Sequence, residues 1–155
     1  MAADDVFDSG VDLASHSQRH ELAGHPVLVL TAISAGGVAG TLARYGIELA
    51  VPHPATGFPV ATMIINVAGS LLIGVLMVLL GHMRDPHPLV RPFFGVGILG
   101  GFTTFSTYAV DAHQLVLHHK AGLAMLYLLS TLVLGLAAVA VGAVLARLGV
   151  RTLAR

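Results

Sequence analysis

Residues 97–108 read GILGGFTTFSTY, and this stretch decides how the chain folds. It lies inside a long apolar segment, yet it contains two adjacent glycines, three threonines and a serine after Leu99. Glycines and clustered hydroxyl residues weaken a regular helix. Backbone that leaves helical bonding at membrane depth must be buried in protein or line a wet cavity. The stretch therefore predicts a functional break between about Gly100 and Thr107, with a glycine kink for close packing as the alternative.

The composition of the whole chain indicates that its solvent is lipid. Of its 155 residues, 55% are hydrophobic and 10% are charged, and the mean hydropathy is +0.84. An ordinary soluble domain carries about 25% charged residues. The formal net charge of zero gives no electrostatic support for a nucleic-acid partner. The absence of cysteine excludes disulfides and thiolate metal sites.

Four apolar stretches each approach the roughly 20 residues that span a bilayer. They cover about residues 27–51, 58–81, 91–117 and 122–145. The loops between them are too short for a soluble domain. We therefore expect an all-α, multi-pass protein of the cell (inner or plasma) membrane, with one transmembrane domain over residues 26–147. Residues 1–25 are predicted to be a disordered tail and residues 148–155 a short basic tail.

The first stretch contains an arginine at a costly position. Arg44 lies two-thirds of the way along it, where an ionisable residue normally faces protein or a water-filled vestibule. Glu48 follows at i+4, so the pair can partly neutralise its charge on one helix face. An arginine that snorkels to the interface is the alternative. Gly36, Gly37 and Gly40 place small residues on one side of this helix, which suits close helix contact.

The other polar residues of the spans are mostly neutral hydrogen-bond donors. Asn66 is the only amide of the second stretch, and it must find a partner because an unpaired amide in hydrocarbon is costly. That partner lies either in a pore or in a structural bond between helices. In the fourth stretch, Tyr127 and Thr131 lie one turn apart on one face. The set of neutral donors is Asn66, Thr103, Thr104, Ser106, Thr107, Tyr108, Tyr127 and Thr131.

This set favours transport of a small anion. The only carboxylates in the spans, Glu48 and Asp111, lie toward helix ends, whereas a proton-coupled transporter usually carries a central acid. Neutral donors and the partly positive edges of phenylalanine rings suit an anion path. A small proton-coupled multidrug exporter remains the alternative function, although the chain has no tryptophan. A membrane protein with a structural role only is a third hypothesis, which the polar third stretch disfavours.

Three segments of the chain resemble the Fluc fluoride channels, also called the CrcB family. They are GGVAGTLARY at 36–45, IINVAGSLLIG at 64–74 and GILGGFTTFSTY at 97–108. The resemblance covers about residues 30–145. It implies a passive, fluoride-selective ion channel that relieves fluoride toxicity and is not an enzyme. It also implies an antiparallel dual-topology dimer of four-helix subunits with two pores, in which each third helix is broken in the middle of the membrane.

The resemblance assigns pore roles to particular residues. By motif position, Asn66 and Phe105 match the pore asparagine and the first of two pore phenylalanines. Tyr108 stands where the second ring is usually phenylalanine, so it keeps a ring and adds a hydroxyl. Thr107 matches a pore hydroxyl beside that ring, and its neighbour Ser106 is taken as another. Along the fourth helix, spacing fits a hydroxyl track to Tyr127 and Thr131.

The resemblance also implies an ion and a vestibule. Gly100 and Thr103 match positions whose backbone carbonyls hold a structural sodium ion at the centre of the dimer. Sodium is a hard cation that prefers oxygen ligands. Arg44 matches the arginine of the family's first motif and is expected to lie in a vestibule.

The distribution of lysine and arginine bears on the partner subunit. In a four-helix protein, one side would carry Arg19, Arg84, Arg91, Arg147, Arg151 and Arg155, and the other Lys120 and at most Arg44. A chain that inserts in both orientations should have little such bias. We therefore expect either a homodimer or a heterodimer with an oppositely oriented homologue. The heterodimer is slightly favoured because Arg84 and Arg91 flank a short loop.

Overall fold

The computed structural model describes residues 26–52, 54, 56–83 and 86–153. The predicted N-terminal tail lies outside the described residues. Every regular element of the described part is a helix. The helices are α1 (Pro26–Ala50), α2 (Val60–His82), α3 (Arg91–Leu99), α4 (Gly100–Phe102), α5 (Phe105–Leu117) and α6 (Ala121–Leu153).

Within the described residues, four helical spans are long and apolar enough to cross a membrane. They are Pro26–Ala50, Val60–His82, Arg91–Leu117 and Ala121–Thr152. The third span consists of α3, α4 and α5, of which α3 is π-helical. Large apolar side chains cover the outside, such as Leu42 at 64% and Leu136 at 66% exposure. Lipid is the solvent that tolerates such a surface, so the prediction of an all-α, multi-pass membrane protein is confirmed.

Proline and one left-handed residue set the ends of several helices. Pro26 begins α1, a position at which its missing N–H costs nothing. After α5 ends at Leu117, His119 takes a positive φ of 59°. The amide of Lys120 then donates to the carbonyl of Leu115 at 2.9 Å. This bond closes the last turn and leads the chain back into α6.

The last helix is longer than the span predicted from the sequence. α6 continues past residue 147 to Leu153, so residues 148–153 of the predicted basic tail are helical. Leucine, alanine and arginine are strong helix formers, and they continue the helix beyond the apolar stretch. Residues 154–155 lie outside the described part of the chain.

Glycines let the first span pack closely on the third. A Cβ on Gly36 would meet the carbonyl oxygen of Phe93, and one on Gly40 would meet that of Ile98. The backbones of α1 and α3 therefore approach where side chains are absent. The contact expected from the glycines of the first stretch is confirmed at Gly36 and Gly40, whereas a Cβ on Gly37 would meet nothing within 4 Å.

The second and fourth spans pack in the same way. A Cβ on Gly74 of α2 would meet the carbonyl oxygen of Val139 in α6. A Cβ on Gly142 of α6 would meet the carbonyl oxygen of Leu71 in α2. These reciprocal contacts hold α2 against α6 and leave the third span to close the remaining side of the site.

Candidate functional site

Two extended residues separate α4 from α5 within the third span. The backbone of Thr103 has φ −77° and ψ 157°, and that of Thr104 has φ −145° and ψ 123°. A continuous helix would pair the backbone groups on both sides of this point, whereas two new helix ends leave them to other partners. The partners of these backbone groups form the site.

Asn66 of α2 takes up the backbone groups of Thr104. Its Nδ2 donates to the Thr104 carbonyl and its Oδ1 accepts from the Thr104 amide, both at 2.9 Å. The partner that the sequence argument required for Asn66 is therefore an unwound backbone on another span. A side-chain amide carries two N–H groups, so one N–H of Asn66 is not used by this pair of bonds.

The side chain of Thr104 caps α5. Its Oγ1 accepts from the amide of Thr107 at 3.1 Å and donates to the Thr107 hydroxyl at 3.0 Å. The hydroxyl of Ser106 lies 3.2 Å from the same oxygen. A threonine at this position satisfies a free N–H of the new helix. The hydroxyls of Ser106 and Thr107 are thus grouped at the start of α5.

Arg44 of α1 binds the other side of the break. Its Nε donates to the carbonyl of Gly101 at 3.3 Å, and its Nη1 donates to Glu48 at 3.0 Å. The ion pair predicted from the i, i+4 spacing is therefore confirmed. A cation at the C-terminal end of a helix is favourable because the last carbonyls there lack intrahelical partners. Arg44 thus stabilises the end of α4.

A cavity of about 530 Å³ lies between α2, the third span and α6. All of its lining residues are neutral. The residues predicted for the site that line it are Asn66, Gly100, Thr103, Phe105, Tyr108 and Thr131. Thr104, Gly69, Ser70 and Gly135 also contribute polar or small groups. Four predicted site residues are not among the lining residues, namely Arg44, Ser106, Thr107 and Tyr127.

Four aromatic rings follow one another beside the cavity. Phe105 is 80% exposed, and its ring centroid lies 5.9 Å from that of Tyr108. The Tyr108 ring lies 5.2 Å from Tyr127. Tyr127 in turn meets Phe58 edge-on at 5.6 Å. The row therefore runs from an exposed ring at the cavity to rings held by packing.

Two buried hydroxyls lie beside this row of rings. Tyr127 is fully buried and Thr131 is 8% exposed. Among the described residues, Thr131 has no hydrogen-bond partner for its hydroxyl, and the Tyr127 hydroxyl has no partner at ideal geometry but lies close to Thr62 and Asp111. Leaving a buried hydroxyl unpaired is costly, and such groups point to a ligand or water as the partner. Both residues were expected from their spacing on the fourth span.

One polar pair was not identified from the sequence. Thr62 of α2 is 1% exposed, and its Oγ1 donates to Oδ2 of Asp111 in α5 at 2.7 Å. From the sequence, Asp111 stands out only as an acid near a helix end. Thr62 precedes Asn66 by one turn on the same face of α2, and that spacing was the available signal. The bond ties the middle of α5 to α2.

Fold and site together define a multi-pass membrane protein with a neutral cavity at a helix break. The family model described as CrcB-like protein, Camphor Resistance (CrcB), matches residues 31–143. The chain therefore belongs to the CrcB-like family, and the resemblance of the three motifs is confirmed.

Three relatives illustrate how much of the chain is similar. The fluoride-specific ion channel FluC 1 of Streptomyces coelicolor is 44% identical over 89% of this chain and 88% of its own length. FluC 2 of Thermobifida fusca is 49% identical over 74% of this chain and 85% of its own. FluC of Paracoccus denitrificans is 40% identical over 74% of this chain and 91% of its own.

Proposed function

We propose that this chain is a subunit of a fluoride-selective channel through which fluoride leaves the cell passively, which relieves fluoride toxicity. The relatives are named fluoride-specific ion channels and are not enzymes. The observation that carries the proposal is the neutral cavity at the break, where donors are left without protein acceptors. These donors are one N–H of Asn66 and the hydroxyl of Thr131, both of which line the cavity.

The chemistry of the cavity suits an anion that must pass through. A pore has to replace the water shell of an ion and still release it, so many weak donors serve better than one strong charge. The exposed ring of Phe105 adds a partly positive edge. A proton-coupled exporter would be expected to use a carboxylate within the path. Asp111 instead accepts a hydrogen bond from Thr62 and does not line the cavity.

The proposed path follows the residues named from the family motifs. Asn66, Phe105, Tyr108 and Thr131 line the cavity and form its first part in this proposal. The remaining proposed pore hydroxyls are those of Ser106, Thr107 and Tyr127. Arg44 is proposed to lie at a vestibule that leads to the break, which we place at the middle of the bilayer.

The proposed unit is an antiparallel dimer, formed with a second copy of this chain or with an oppositely oriented homologue, and it holds a structural sodium ion on its axis. The carbonyls of Leu99, Gly101 and Thr104 accept hydrogen bonds from Thr103, Arg44 and Asn66 respectively. The side-chain hydrogen bonds at the break therefore leave the carbonyls of Gly100 and Thr103 available to a cation. Carbonyl oxygens are suitable ligands for a hard cation, and two subunits would supply each carbonyl twice. The fit supports these two residues as the sodium ligands.

The sodium proposal has a direct test. A structure of the purified dimer in sodium should contain density on the axis between the carbonyls of Gly100 and Thr103 of both subunits. Fluoride flux should not follow a sodium gradient because the ion is structural. An axis without density, or flux driven by sodium, would contradict the proposal.

Fluoride efflux from liposomes that contain the purified protein tests the function itself. We expect rapid fluoride release without a proton or sodium gradient, negligible chloride release, and no release from protein-free liposomes. An exporter would instead require a proton gradient and would move an organic cation. Intact protein that releases no fluoride in this assay would refute the proposed function.

A further inference from the structure

The hydroxyl of Tyr108 connects two spans beside the cavity. It donates to the backbone carbonyl of Leu128 in α6 at 2.8 Å. Tyr108 belongs to α5 and lines the cavity. The bond therefore joins the second half of the broken span to the fourth span at the height of the site.

The ring of Tyr108 lies between a buried ring and an exposed ring. Tyr127, on one side, is fully buried and is held edge-on by Phe58. Phe105, on the other side, is 80% exposed. The buried Tyr127 therefore restrains the Tyr108 ring by packing. The exposed Phe105 and the cavity restrain it much less. The hydroxyl bond supplies the missing restraint.

A phenol has a single proton to donate. Because the Tyr108 proton is directed to the Leu128 carbonyl, the hydroxyl has no donor left for an anion in the cavity. The ring, and not the hydroxyl, is then the part of Tyr108 that acts on the ion path. The extra oxygen of this tyrosine, relative to phenylalanine, serves to hold the ring in position.

We propose that the Tyr108 hydroxyl is a tether between α5 and α6 that keeps the ring against the cavity wall and so keeps the ion path open. Tyr108 is in this sense a positioning residue. The inference rests on the proposed fluoride conduction. Without the tether, the ring turns into the cavity that it lines for part of the time, and fluoride passes more slowly.

The test compares two substitutions that each remove one hydroxyl. Tyr108→Phe keeps the ring and removes the tether. Tyr45→Phe is the matched control, because Tyr45 lies on α1, is 55% exposed and does not line the cavity. Initial fluoride efflux is measured for the full chain in liposomes over a range of fluoride concentrations, and melting temperature is measured in detergent.

We expect Tyr108→Phe to lower the maximal efflux rate about three- to tenfold, the range that one hydrogen bond can account for. The half-saturating fluoride concentration should stay unchanged, since the hydroxyl does not donate to the ion. Tyr45→Phe should match the wild-type protein in both values.

Three results would contradict the proposed role of the Tyr108 hydroxyl as a tether. The first is a wild-type maximal rate in Tyr108→Phe. The second is a raised half-saturating concentration at an unchanged maximal rate, which would make the hydroxyl a direct donor to fluoride. The third is a lower melting temperature with an unchanged rate per active vesicle, which would make the bond merely structural. A wild-type protein that releases no fluoride refutes the proposed function as well, whereas an active wild type with an equally active Tyr108→Phe refutes the tether alone.

Discussion

Asn66 carries out two tasks with one side chain. Its amide pairs with both backbone groups of Thr104. These two bonds replace the backbone hydrogen bonds that Thr104 would make in a continuous helix. This pairing stabilises a break that would otherwise leave polar backbone groups without partners. The remaining N–H is then free for an anion. A residue with one donor or one acceptor could not fill both roles.

Replacing Asn66 with aspartate should abolish fluoride efflux. The carboxylate keeps the acceptor for the Thr104 amide but loses the donor to its carbonyl, and it places a negative charge at the proposed path. Two like charges about 4 Å apart repel by ~4 kcal/mol at an effective dielectric constant of 20. We therefore expect efflux at alkaline pH to fall by about a thousandfold.

Gln114→Glu provides the matched control for this change. It also converts an amide into an acid, but Gln114 is on α5 outside the cavity lining, so efflux should stay near the wild-type rate. Size-exclusion chromatography establishes that both variants assemble as the wild-type protein does. A well-assembled Asn66→Asp protein with wild-type efflux would contradict the assignment of Asn66 to the pore.

At the scale of elements, the break depends on how the first span supports the third. Gly36 and Gly40 bring the backbone of α1 against α3. One turn beyond Gly40, Arg44 binds the Gly101 carbonyl at the end of α4. One face of α1 therefore fixes α3 by packing and fixes the end of α4 by a charged hydrogen bond. The weak helix propensity of the glycine and threonine residues permits the break. Contacts with α1 determine the position of α3 and α4, the part of the third span before the break.

Gly40→Ala should disrupt this support. The added Cβ would meet the carbonyl oxygen of Ile98, which is backbone and cannot move aside as a flexible side chain can. Overpacking of this kind typically costs about 1–3 kcal/mol. We expect a lower melting temperature in detergent and a smaller yield of assembled protein.

Gly46→Ala is the control in the same helix. A Cβ at Gly46 has nothing within 4 Å, and alanine is the better helix former by about 1 kcal/mol. Its melting temperature should therefore equal or exceed that of the wild-type protein. Equal melting temperatures for the two variants would mean that the contact between α1 and α3 tolerates a methyl group.

At the scale of the whole molecule, charge is distributed unevenly between the two ends of the spans. One end of the helix bundle contains the loop after α2 and the C-terminal end of α6. Arg91, Arg147 and Arg151 lie at this end. Lys120 lies at the opposite ends, where its Nζ donates to the Thr56 carbonyl at 2.7 Å. The positive-inside rule favours the arginine-rich ends in the cytoplasm. This bias opposes equal insertion in both orientations.

The bias predicts a single orientation for this chain expressed alone. A C-terminal reporter that is active on one side of the membrane should give a signal from the cytoplasmic side only. In the cell, fluoride efflux through this chain expressed alone should then be weak until an oppositely oriented homologue is co-expressed. Equal signals from both sides, together with full efflux from the single chain, would establish that no second protein is required.

The sequence by itself determined the features that depend on neighbours along the chain. Length and hydropathy gave the four spans because each span satisfies its own backbone in lipid. The i, i+4 spacing gave the pair of Arg44 and Glu48 because both lie on one helix face. The cost of an unpaired amide established that Asn66 needs a partner. The motifs gave the family.

Only the tertiary structure decided which groups meet across the spans. The partner of Asn66 is the backbone of Thr104, 38 residues away, and the hydroxyl of Tyr108 goes to Leu128, 20 residues away. The pairing of Thr62 with Asp111 likewise joins residues 49 apart. Such bonds depend on how glycines let the helices approach and rotate against one another. Spacing along one helix does not contain that information, because it fixes which face a side chain occupies but not what lies opposite.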